Sequence, residues 1–158
     1  MTTKKPAIRT GKTNNPHDIE LDIRDHHTID EEGWVNVYGS NQKPYSYQYS
    51  GGDPRPGSKK KGNGDVTYHA KHGVGKIKIS LVACRDRYAL IGDDCVGFVG
   101  DTQAQLSVSG KSRRQRVIKD KCTKEIAAYY MVAVTDIAEG NATIPCDPRV
   151  INRPPAMA

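Results

Sequence analysis

The sequence predicts an all-β protein, an antiparallel β-sandwich of about seven to nine strands. Three observations carry that expectation. Apolar and polar residues alternate with period two in several short runs, which sends one set of side chains to a core and the other to water. Gly, Pro, Asp and Ser punctuate these runs at about eight to twelve residues, the spacing of sandwiches and barrels. The one stretch with helix-forming composition, residues 126 to 134, is apolar throughout and leaves no polar stripe for a surface helix. With 158 residues, 36% of them apolar and no internal repeat, the chain holds one domain with a real core.

"MTTKKPAIRTGKTNNP" has almost no apolar surface to offset its ordering entropy, so residues 1 to 16 read as a mobile basic tail. The domain then runs from 17 to 153, and 154 to 158 form a C-terminal tail. "DIELDIRD" puts Ile19, Leu21 and Ile23 on one face and Asp18, Glu20 and Asp22 on the other, a half-buried strand with a wet acidic side. "GWVNVYG", "PYSYQYS", "DVTYHA" and "GKIKISLVA" follow, then the shorter "RYALIG", "CVGFVG", "AQLSVSG" and "RQRVIKD". "KEIAAYYMVAVTD" suits a central strand covered on both faces, given Tyr129, Tyr130, Val132 and Val134. "AEGN" turns a hairpin into "ATIPCDPRVINRP", whose prolines suit an edge strand or extended tail. The expected core is Ile19, Leu21, Ile23, Trp34, Ile77, Ile79, Leu81, Leu90, Leu106, Val108, Tyr130, Val132 and Val134.

The formal charge is +6 and the pI about 9.1, but its distribution says more than its sum. Seven acids against one base fill residues 17 to 32; seven bases against one acid fill residues 111 to 124. There is no leader peptide and no apolar run of about 18 residues, so a soluble, cytoplasmic protein is expected. Cys84, Cys95, Cys122 and Cys146 show no CxxC spacing. Two disulfides in any of three connectivities are possible, and buried reduced thiols are the expectation for a cytosolic chain.

Candidate sites are few. Tyr45, Tyr47 and Tyr49 share one face of a strand, as stacking rings do in single-strand binders, with Lys59, Lys60, Lys61, Arg113, Arg114 and Arg116 as phosphate contacts. The competing reading packs the rings into a core that only ten aromatic residues can fill, and leaves the bases on solvated loops. His69 and His72, with His26 and His27, converge on a metal only if "AKHG" turns, and "IPCDPRV" lacks the His and Met of a blue-copper site. No GxSxG, HExxH or P-loop is present, and Asp93–Asp94 reads as a turn. The expectation is a non-catalytic binding or assembly module without cofactor or metal. Its partner would be another copy or another protein, through pairing of acidic "DIELDIRDHHTIDEE" with basic "GKSRRQR". The alternatives are a polyanion or single-stranded nucleic-acid binder, and a thiol-dependent hydrolase pairing Cys84 or Cys122 with a histidine.

"YSYQYSGGDPRPG" and the closing "IPCDPRVINRP" resemble a group of small bacterial all-β proteins of uncharacterised function, the DP-EP family. The shared features are the Gly-Asp-Pro turn, a Lys- or Gly-rich loop leading into "VTYHAKHGVGKIKISL", and a Cys-Asp-Pro segment, over roughly residues 33 to 153. The resemblance implies an immunoglobulin-like or cupredoxin-like sandwich and no activity, so it brings no functional residues with it.

Overall fold

The computed structural model describes residues 16–29, 31, 33–52, 66, 73–126 and 128–151. The expected tails, apart from Pro16, lie outside these residues, as do Lys59, Lys60, Lys61, His69 and His72. So does the expected "DVTYHA" strand, apart from Val66, which is buried.

The described residues form an all-β structure of ten strands in two sheets. The larger sheet contains β1 (His17–Arg24), β2 (Val35–Tyr38), β3 (Pro44–Gly51), β4 (Gly75–Leu81), β7 (Leu106–Ser109) and β8 (Gln115–Asp120), in the order β2-β3-β1-β4-β8-β7. The smaller contains β5 (Tyr88–Ala89), β6 (Val96–Val99), β9 (Ala128–Asp136) and β10 (Ala142–Ile151). Ten strands among the described residues exceed the expected seven to nine; "RYALIG" and "CVGFVG" form two separate short strands on the same neighbour, β9. Pairing is antiparallel except between β1 and β4, where Ile19 stands opposite Ile79 and Leu21 opposite Leu81. β3 and β4 flank β1 instead of lying side by side.

Period two explains the packing. In β1 the odd positions Ile19, Leu21 and Ile23 are buried, and in β4 so are Ile77, Ile79 and Leu81. These meet Tyr130, Val132, Val134, Ile144 and Cys146 from the smaller sheet in one hydrophobic cluster. Trp34, Leu106 and Val108 are only partly buried, contrary to the expected core. Leu106 and Val108 lie on the edge strand β7, and Trp34 precedes β2 and lies under the Arg24 guanidinium, 3.9 Å from its ring centre. β9 is central, as expected, with β10 on one side and β5 and β6 on the other. It is not covered on both faces: Tyr129 and Met131 are 43% and 41% exposed. The expected hairpin is a short 3-10 turn, Ile137–Glu139, closed by Gly140 and Asn141 in left-handed conformations.

Candidate functional site

The tyrosine stripe faces inward. Tyr45, Tyr47 and Tyr49 are buried on β3, so they are not available as a stacking platform. Tyr47 and Tyr49 meet edge to face at 5.8 Å, and Tyr49 meets Tyr130 of the opposite sheet at 5.7 Å. These rings fill the space between the sheets that the few large aliphatic residues leave open.

The basic strand is also largely turned in. Arg113 is exposed, Arg114 is partly buried and Arg116 is 4% exposed, so only one of the three predicted phosphate contacts is free at the surface. The cause lies across the molecule. From Tyr88 to Val96 the chain advances eight residues while their partners on β9, Asp136 to Val132, advance four, so β5 and β6 are separated by an outward loop. The Leu90 and Gly92 carbonyls at this interruption lack ladder donors and Arg116 supplies them, while Arg114 serves carbonyls within and before β5. Arg116 Nη2 donates to Leu90 O (3.4 Å) and Gly92 O (3.2 Å), and its Nη1 to Gln115 O (2.8 Å) and Ser112 O. Arg114 Nη1 donates to Tyr88 O (2.7 Å) and its Nη2 to Ala83 O, while burial pushes its guanidinium below its ordinary pKa. Arg116, Lys111 and Asp93 line a hollow of about 420 Å³, where Lys111 Nζ lies 3.4 Å from Asp93.

A buried carboxylate joins the sheets at the other end of β9. Asp136 is fully buried and accepts Arg87 Nε at 3.0 Å, Arg87 Nη2 at 2.9 Å and the Tyr45 hydroxyl at 2.6 Å. Burial alone would raise its pKa; the bonds from Arg87 and Tyr45 outweigh it and hold the carboxyl below the usual range. Arg87 Nη1 also reaches Asp25 at 2.9 Å, and Asp25, itself lowered mainly by its bond to the His26 ring, lies 3.1 Å from His26 Nδ1. Burial likewise raises the Tyr45 and Tyr88 hydroxyl pKa values, which keeps both neutral. Every strong donor here already has an acceptor within the chain, so the network is a clamp between sheets.

Three of the seven acids of the acidic segment lie beside a cation. Asp18 lies 3.8 Å from Lys78 Nζ, Glu31 accepts Arg24 at 2.8 Å, and Asp25 holds Arg87. These three acids, clustered along the chain, have cations beside them in space.

The feature that sequence reasoning missed is the outward face of the smaller sheet. Gly97 stands opposite Met131 and Val99 opposite Tyr129, while Ala133 stands opposite Pro145. Val99, Tyr129 and Met131 are each more than two-fifths exposed. Beside them a groove of about 210 Å³ is lined by Asp94, Cys95, Gly97, Met131, Ala133 and Pro145. A side chain at Gly97 would meet open space. The signal was present in the all-apolar run 126 to 134, which sequence cannot assign to one covered face or two.

None of the four cysteines is in a disulfide; Cys84 is exposed, contrary to the expectation of buried thiols, and burial raises the Cys95 thiol pKa. His27 Nε2 lies 3.1 Å from Val37 O, and among the described residues no three His, Cys, Asp or Glu side chains converge as metal ligands. Among the described residues no helix is long and apolar enough to cross a membrane. No protein-family model matches the chain, and no curated protein is similar to it.

Proposed function

We propose that this protein is a non-catalytic assembly module, a β-sandwich of immunoglobulin-like or cupredoxin-like kind that presents the outward face of its smaller sheet to a protein partner. The observation that carries this reading is the cluster of Val99, Tyr129 and Met131 beside an apolar groove, on a face with no charged residue among its exposed β6 and β9 positions. Exposed apolar side chains gathered on one sheet face mark contact surfaces more often than scattered ones do. Aromatic residues and methionine are enriched at the centres of such contacts. The nucleic-acid alternative has lost its stacking rings to the core and two of its arginines to backbone carbonyls.

The test is a photo-crosslinking residue at position 131, with position 78 on the larger sheet as control. A discrete adduct from position 131 that disappears with Tyr129→Lys supports the reading. Equal labelling from both positions, or none from 131, overturns it.

A further inference from the structure

The hollow beside Arg116 lies where β7 ends at Ser109 and the chain turns toward β8, against the loop that carries Asp93 between β5 and β6. Its lining is Asp93, Val108, Ser109, Gly110, Lys111 and Arg116. Arg116 is buried, and the four acceptors at its Nη atoms are backbone carbonyls, which satisfy N–H groups but carry only partial charge. A guanidinium held in this way keeps a full positive charge where little water screens it.

The one carboxylate in the lining, Asp93, is turned to Lys111. The two lie 3.4 Å apart with side chains 89% and 86% exposed, and a pair so solvated opens at little cost. Gly110 stands over the arginine with φ at 112°, a backbone that side chains avoid. A Cβ there would lie 3.6 Å from Arg116 Cδ and cover it, so the glycine leaves that approach open. Ser109 brings a hydroxyl that can donate, and Val108 a partly buried apolar wall.

We propose that this hollow binds a phosphate dianion, free or as the end group of a small phosphomonoester. Arg116 and Lys111 carry two positive charges, which match the charge of about −1.5 to −2 on a phosphomonoester at pH 7. On binding, Lys111 exchanges Asp93 for the phosphate oxygens and Ser109 donates a further bond. Arg116 stays on its carbonyls and acts through its charge. Lysine serves phosphate as a point charge and needs no fixed fork, which suits a long exposed side chain at the mouth. The hollow of about 420 Å³ falls within the roughly 300–1,000 Å³ of small-molecule sites, with Val108 as the wall for an organic group. It takes one phosphate, whereas a nucleic acid needs a row of such contacts.

The test is an NMR titration of the full chain with inorganic phosphate, and separately with glycerol 3-phosphate, against chloride at constant ionic strength. Saturable amide shifts centred on Asp93, Ser109, Gly110 and Lys111 are expected, with a dissociation constant of about 1 mM or lower. Tighter binding of the ester assigns it as the ligand; equal affinity assigns the free ion. Lys111→Met should weaken binding at least about tenfold, while Lys78→Met, which removes the same charge from the outward side of β4, leaves it unchanged. Asp93→Asn frees Lys111 and should tighten binding about threefold, and Asp18→Asn should not. These exposed positions carry the test because Arg116 also holds the fold. No saturation by about 20 mM phosphate, shifts spread over the exposed lysines at large, or equal losses from the two lysine variants would each overturn the site. None of these outcomes bears on the position-131 adduct, so the assembly reading stands or falls separately.

Discussion

β1 and β8 look like mirror images in the sequence, one at the centre of an acidic segment and the other of a basic one, and the fold treats them in opposite ways. On β1 the inward positions are Ile19, Leu21 and Ile23, so Asp18, Glu20 and Asp22 fall on the other side, where Asp18 lies beside Lys78. On β8 the inward positions are Arg116, Ile118 and Asp120, of which only one is apolar. Parity decides which side a charge faces, and parity is set by whichever residues the core can accept. An arginine reaches the inward side when stranded carbonyls await it there, because its guanidinium can serve several acceptors at once. The interruption between β5 and β6 provides those carbonyls. Charge concentrated along a chain is thus a poor guide to charge concentrated on a surface.

The strongest way to break this contrast is to remove the inward arginine. Arg116→Met keeps much of the side-chain length but leaves Leu90 O and Gly92 O without their donors. At 1–3 kcal/mol for a buried group left unsatisfied, and less for the partly buried Gly92 O, it should destabilise the fold by about 3 kcal/mol in urea denaturation. Arg113→Met, one turn of the pattern away and exposed, should lose less than about 0.5 kcal/mol. Equal losses would mean that the carbonyl contacts contribute nothing and that parity is the wrong explanation.

Asp136 sharpens the comparison, because it is the one carboxylate that behaves like the inward arginines. Asp136→Asn leaves Arg87 beside a neutral partner and should cost about 3 kcal/mol at neutral pH. The folded carboxyl titrates below its unfolded value, so its contribution is complete above about pH 5 and is lost as pH falls through the carboxylate range toward the folded pKa. Stability of the native chain should therefore fall more steeply between about pH 5 and pH 3 than that of Asp136→Asn. Parallel curves would show that the carboxylate is not held ionised by Arg87 and Tyr45.

The same contrast shows what was legible in advance. β1, β4 and β9 announced themselves, because alternation or an all-apolar run leaves few other conformations for those residues. The inward direction of Tyr45, Tyr47 and Tyr49 was the better of two readings, and the need to fill a core decided it. Arg116 was not legible, since its acceptors lie more than twenty residues away and are created by an interruption that no residue pattern marks. The open face of β9 was hidden for the converse reason. Tyr129 and Met131 satisfy the pattern of a strand covered on both faces, and only their exposure in the structure distinguishes the two cases.

The smallest effect is expected on the outward side of β1, and it is the control on which the comparison depends. Asp18 and Lys78 lie 3.8 Å apart with side chains 78% and 46% exposed, so water already solvates both charges. Holding two long side chains together costs entropy, and exposed pairs of this kind contribute little beyond it. Asp18→Asn should move the melting midpoint by less than about 2 °C, and the small difference should vanish as salt shortens the Debye length to about 3 Å at 1 M. A large, salt-resistant loss would mean that the outward carboxylates of β1 carry structural weight comparable to Arg116. The opposition between the two strands would then collapse to a difference in sign alone.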